Sequence, residues 1–138
     1  MARNKAQSAI EYLIVIGFVT LAVSIVLVAA YFYIGMSRDR IRQNQMEALA
    51  TKIINSAESV FYSGEPSQVT IIVYAPSGIN EIEFLNYNLI ITASTSSGTL
   101  KRAFTSRVIL TGNINPGEGT KRLRIKAESD KVVIEQVT

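Results

Sequence analysis

Apolar residues occupy this chain in two regimes. From Tyr12 to Ser37, 26 consecutive residues carry no charge. As a helix that stretch is about 39 Å long, more than the ~20 residues a bilayer crossing needs. It is apolar on every side, so it must be covered by lipid, by protein, or by each in turn. From Arg38 the pattern turns amphipathic without a Pro or Gly to interrupt it. Met46, Leu49, Ala50, Ile53, Ala57, Val60 and Phe61 recur at three- and four-residue steps and make one apolar stripe. Ser63-Gly64-Glu65-Pro66 then supplies a terminating glycine and a proline that cannot continue a helix. The pattern predicts one helix from about Gln7 to Tyr62, on the order of 80 Å long, of which only the lower half has a membrane's character.

Beyond Gly64 the period changes from that of a helix to that of strands. Gln68 to Ala75 alternates with Val69, Ile71 and Val73 on one face, and Pro76-Ser77-Gly78 turns it. Asn80 to Leu85, Leu89 to Ala93, Thr99 to Ser106, Arg107 to Thr111, Thr120 to Ala127 and Lys131 to Val137 read as further strands, with turns at Ser94 to Gly98 and a loop from Asn113 to Gly119. Strands at this spacing suggest a small β-sandwich. So short a head buries little by itself, and the stripe from Met46 to Phe61, packed against a sheet, supplies the missing apolar area. The expected fold is therefore α+β: a long N-terminal α-helix, its lower half transmembrane-like, packed on a C-terminal antiparallel β-sandwich head. The expected division is 1–6, 7–62 and 63–138.

Composition narrows the chemistry. With 48% apolar and 18% charged residues the 138-residue chain is not a disordered one. It has no Cys and no His, which removes thiolate nucleophiles, imidazole bases, zinc fingers and Cys-ligated clusters. No cofactor or metal is expected, and an enzymatic role is the least favoured class. The net charge of +3 includes Arg3 and Lys5, and no nucleic-acid-binding face is implied.

The junction before the apolar run is the most specific feature. Lys5-Ala6-Gln7-Ser8-Ala9-Ile10-Glu11-Tyr12 resembles the class III signal peptide of archaeal type IV pilin precursors, which places Gln, Ser, Glu and Tyr in this order and spacing. The resemblance implies that a membrane-embedded prepilin peptidase cuts on the cytoplasmic side between Ala6 and Gln7. Lys5 and Ala6 are then recognition residues, together with Gln7, Ser8, Glu11 and Tyr12, and the apolar segment stays on the mature subunit. It further implies insertion in the cytoplasmic membrane as a precursor. Polymerisation of the chain with itself follows, served by an assembly platform and ATPase, into a helical extracellular filament used for adhesion. Within that picture Glu11, costly in a bilayer unless partnered, meets the freed amine of Gln7 on its own or a neighbouring subunit. The plainer alternative seats Glu11 at the headgroup level, favoured by the helix dipole. A minor pilin and an uncut, membrane-anchored surface-binding module remain as other readings.

The helix surface suits bundling. Gly17, Thr20 and Ser24 form one slim row and Ala22, Val26 and Ala30 another, so neighbouring backbones can approach closely there. In the head, Arg122, Arg124 and Lys126 fall on one strand face and Lys121 on the other; a solvated or charge-guarded face is the expected role. Glu81 and Glu83 share a face as solubilising charge.

Overall fold

The computed structural model describes the backbone of residues 2–137 and the side chains of residues 7–35 and 37–137. α1 spans Ala2–Tyr62, so helical backbone begins upstream of the expected start at Gln7; the side chains of Lys5 and Ala6 lie outside the described residues. α1 ends where the glycine and proline predict. Gly64 adopts a left-handed φ of 77°, its N–H donates to Phe61 O at 3.0 Å, and the Ser63 hydroxyl donates to Ser59 O at 2.8 Å.

Seven strands follow: β1 (Gln68–Ala75), β2 (Ile79–Leu85), β3 (Asn88–Thr95), β4 (Gly98–Thr105), β5 (Leu110–Asn113), β6 (Gly119–Ala127) and β7 (Val132–Val137). They form a four-stranded sheet in the order β1-β6-β7-β5 and a three-stranded one in the order β2-β3-β4. Most pairs are antiparallel, as expected of the head; the β5–β7 pair runs parallel, a local departure that needs one correction to the expected pattern. The cause is topological. β6 and β7 are joined by the short connection around Ser129 and pair antiparallel, and β7 is inserted between β6 and the earlier β5, so it must run with β5.

A second correction concerns the segment read as a strand from Arg107 to Thr111. Its first residues are not in a ladder, because side chains take their N–H groups. Arg107 N donates to Glu58 Oε1 at 2.9 Å and Val108 N to Ser106 Oγ at 3.2 Å. β5 begins only at Leu110, whose N–H donates to Asn86 O at 2.8 Å. That bond joins the two sheets beside the β2–β3 turn, while the one from Ser106 N to Tyr87 O, 2.6 Å, prolongs the β3–β4 pairing by one residue.

The core is one cluster built from α1 and both sheets. Met46, Ala50, Ile53 and Ala57 are wholly buried with Leu89 and Ile91 of one sheet and Leu123, Ile125, Val132 and Ile134 of the other. Leu49, Ile54 and Val60 complete the stripe and Phe61 packs at its margin. One edge strand of each sheet, β1 and β4, is held by the helix. Lys52 Nζ donates to Ile72 O at 2.8 Å, and Glu47 lies 3.9 Å from Arg102. On β1 the Lys52 ammonium thereby occupies a backbone acceptor of an edge strand, where unwanted strand pairing would begin. By compactness the chain divides after Arg38, so residues 39–62 of α1 belong to the same unit as the strands.

Candidate assembly interface

The first unit is a helix with its apolar side chains uncovered. Ile10, Leu13, Phe18, Leu21, Ile25, Leu27, Tyr31 and Tyr33 are all exposed, Phe18 at 71% and Tyr31 at 78%. One helix near the N-terminus is thus long and apolar enough to cross a membrane, with a mean hydropathy of 2.9 over its most apolar window. The hydroxyls of Thr20 and Ser24, mid-way along the run, are already satisfied. Thr20 Oγ1 donates to Ile16 O and Ser24 Oγ to Thr20 O, each at 2.8 Å, so neither carries an unmet donor into an apolar medium.

The two slim rows lie on different sides of this helix. At 3.6 residues per turn, Gly17, Thr20 and Ser24 centre roughly 150° from Ala22, Val26 and Ala30. A Cβ added at Gly17 would meet no atom within 4 Å, so that surface is open. Two slim faces, nearly opposed, let one helix approach two neighbours at once. Gln7, Ser8, Glu11 and Tyr12 are exposed at the N-terminal end of the same unit.

In the second unit the helix-to-head residues read from the sequence converge as expected: Met46, Leu49, Ala50, Ile53, Ala57 and Val60 are buried and Phe61 is half-buried. Sequence reasoning missed the polar clasp at the start of this unit. Asp39 accepts hydrogen bonds from both the Ser96 hydroxyl and the Ser96 N–H, the latter at 3.2 Å, and lies 3.7 Å from Arg42. Arg42 Nη1 in turn donates to Ser94 O at 2.7 Å. The end of β3 and the first residue of the β3–β4 turn are therefore pinned to the helix at the point where the apolar run gives way to the head. The turn itself was legible as Ser94 to Gly98; its partners, more than fifty residues away, were not.

The Ser96 hydroxyl, then its N–H and the Arg42 charge, holds the Asp39 carboxyl below the ordinary value of 3.8 against a smaller opposing desolvation. A depressed carboxyl stabilises the fold above its ordinary value, and that contribution is lost as pH falls through about 4 towards the lower folded value. We expect hydrogen exchange across residues 94–98, corrected for intrinsic rates, to accelerate below about pH 4. In Asp39→Ala the same segment should be unprotected already at pH 7. Equal protection of the variant and the parent at pH 7 would remove the clasp from the account.

The outer faces of the sheets are polar. Arg122, Arg124 and Lys126 point outward from β6 while Lys121 is 7% exposed on the inner side with Leu123 and Ile125. Glu81 and Glu83 lie on the outer face of β2. Among the described residues no cluster of three or more Asp and Glu side chains is placed to hold a metal ion. No family model, no curated protein and no solved structure matches this chain.

Proposed function

We propose that this chain is a type IV pilin of the archaeal kind. It is made as a membrane-inserted precursor, cut by a prepilin peptidase between Ala6 and Gln7, and polymerised through its N-terminal helix into an adhesive surface filament. The observation that carries the reading is the change of burial along α1: exposed on every side through Ile34, then buried along one stripe from Met46 to Val60. A helix of that kind has one half committed to its own head and one half that must find lipid or other helices. The satisfied hydroxyls of Thr20 and Ser24 suit both environments. The slim rows on two sides suit a bundle in which each helix has several neighbours.

In this reading the membrane holds the precursor and the filament holds the product, and the apolar surface changes partner without being exposed to water. The assembly platform and its ATPase drive the exchange. Processing is tested on the full chain in membranes. Incubation with a prepilin peptidase is expected to shorten it by Met1 to Ala6, and Ala6→Asp to abolish the cut while leaving insertion unchanged. A parent chain that keeps Met1 through the incubation would contradict the assignment.

A further inference from the structure

We infer that copies of this chain meet head to tail through their sheets, the cationic outer row of β6 in one copy seated against the acidic outer row of β2 in the next. The inference deepens the filament reading and rests on it for bringing the copies together.

Arg122, Arg124 and Lys126 stand in one line on the outer face of β6, all exposed, at about 6.8 Å per step of the strand's alternation. Among the described residues none of the three forms an ion pair, although Glu135 is the cross-strand neighbour of Arg124. Arg122 has Ile72 beside it on β1 and Val137 on β7. With Thr120, Lys121 and Gln136 these residues line a depression of about 400 Å³. The row is therefore cationic and unspent, with apolar shoulders at one end.

β2 offers its complement. Glu81 and Glu83 share its outer face at the same two-residue step, followed by exposed Leu85. Glu81 has no ion pair among the described residues, and Glu83 has only a 3.5 Å bridge to exposed Lys101. Half-buried Ile90 and exposed Ala103 continue this face beside Glu83. Two carboxylates at a two-residue step thus match two guanidiniums at the same step in charge and spacing, Glu81 opposite Arg122 and Glu83 opposite Arg124. No ion pair joins the two rows within one chain.

A second copy is favoured over an extended polyanion by what interrupts the cationic face. Glu135 stands beside Arg124, and Glu118, bound to Tyr74 Oη at 3.2 Å, stands at the rim. Those carboxylates repel a continuous line of negative charge along the whole face, whereas two acids fixed on a neighbouring strand meet only Glu135, beside Arg124. Because the two rows are different surfaces, each copy uses one on each neighbour, a heterologous contact that can run from copy to copy along a filament.

The chain has no Cys, so introduced thiols report alone. The full chain carrying Glu83→Cys and Arg124→Cys is treated on cells with a short bis-maleimide. Sheared filaments are expected to give a ladder through trimers and beyond, while a mixture of the two single variants stops at dimers. Asp130→Cys with Arg124→Cys gives no ladder. Adding Glu81→Lys to the reporting pair should cut the ladder about tenfold, and further adding Arg122→Glu should restore it to within about twofold. Filaments without cross-linked products, a ladder equally strong with Asp130→Cys, or indifference to Glu81→Lys would each overturn the contact while leaving the pilin reading in place. Absence of a ladder together with capture of the parent chain on polyphosphate beads would assign the cationic row to a polyanion, and equally overturns it. If the parent forms no filaments the pilin reading fails, and the same ladder read on washed membranes decides the contact by itself.

Discussion

Gly112→Ala is expected to destabilise the head by about 3 kcal/mol or more. Gly112 lies in β5 at φ 157°, where a Cβ would fall 2.1 Å from Ile134 O and 2.9 Å from its carbonyl carbon. Those atoms are backbone of β7, the parallel partner of β5, and cannot step aside without parting the two strands. Parting them would uncover Leu110 and Ile114, both almost wholly buried on either side of Gly112. The control is Gly64→Ala after the helix. Gly64 also has a left-handed φ, 77°, but an added Cβ meets no atom within 4 Å, so only the backbone penalty of about 1 kcal/mol applies. Urea unfolding of the two variants separates the effects. Equal losses would mean that β5 and β7 do not approach as closely as described.

Glu11→Ala is expected to reduce filaments to background while leaving membrane insertion intact, with filaments counted against the cleaved chain because Glu11 is also among the recognition residues. Glu11 immediately precedes the uncharged run, exposed, on a helix whose neighbouring residues are apolar. After removal of residues 1–6 the new amine would sit on Gln7, four positions before Glu11 and on the same side of the helix. A carboxylate and an amine so placed neutralise each other within a subunit or between neighbours. Without the carboxylate each subunit would carry an uncompensated amine into the helix bundle, at about 2.5–3.5 kcal/mol by insertion scales. That is on the order of a hundredfold per addition step, repeated at every subunit. Glu11→Gln should behave like Glu11→Ala, because the charge and not the hydrogen bond is decisive. Counts of sheared filaments against cleaved chain measure the effect, and parent-like filament counts in both variants would remove Glu11 from assembly.

What the sequence made legible was whatever depends on local period and punctuation. The helix ended at Tyr62 because Gly64 and Pro66 are local signals. β1 has the bounds that the alternation of Val69, Ile71 and Val73 predicted, with Val69 nonetheless exposed, and the stripe from Met46 to Phe61 predicted the helix's buried face except for Ile54. What escaped was set by partners distant in the chain. The parallel pairing of β5 with β7 follows from where β7 is inserted, which no local pattern encodes. Arg107 and Val108 looked like strand, yet Glu58 and Ser106 claim their N–H groups. The Asp39–Ser96 clasp joins a helix to a hairpin across 57 residues of sequence. For the assembly surface, the apolar run, Glu11 and the slim rows were visible in the residues. The orientation of the rows on two sides of the helix needed only its pitch.

The central claim is that one chain is cut at Gln7 and assembled through its exposed helix. Its most direct test is the N-terminal sequence and intact mass of the chain in two fractions of the native cells, sheared surface filaments and washed membranes. A chain that begins at Gln7 and is abundant in the filaments is the result predicted here. A chain that begins at Met1 and is confined to membranes would contradict the account and leave an anchored surface module.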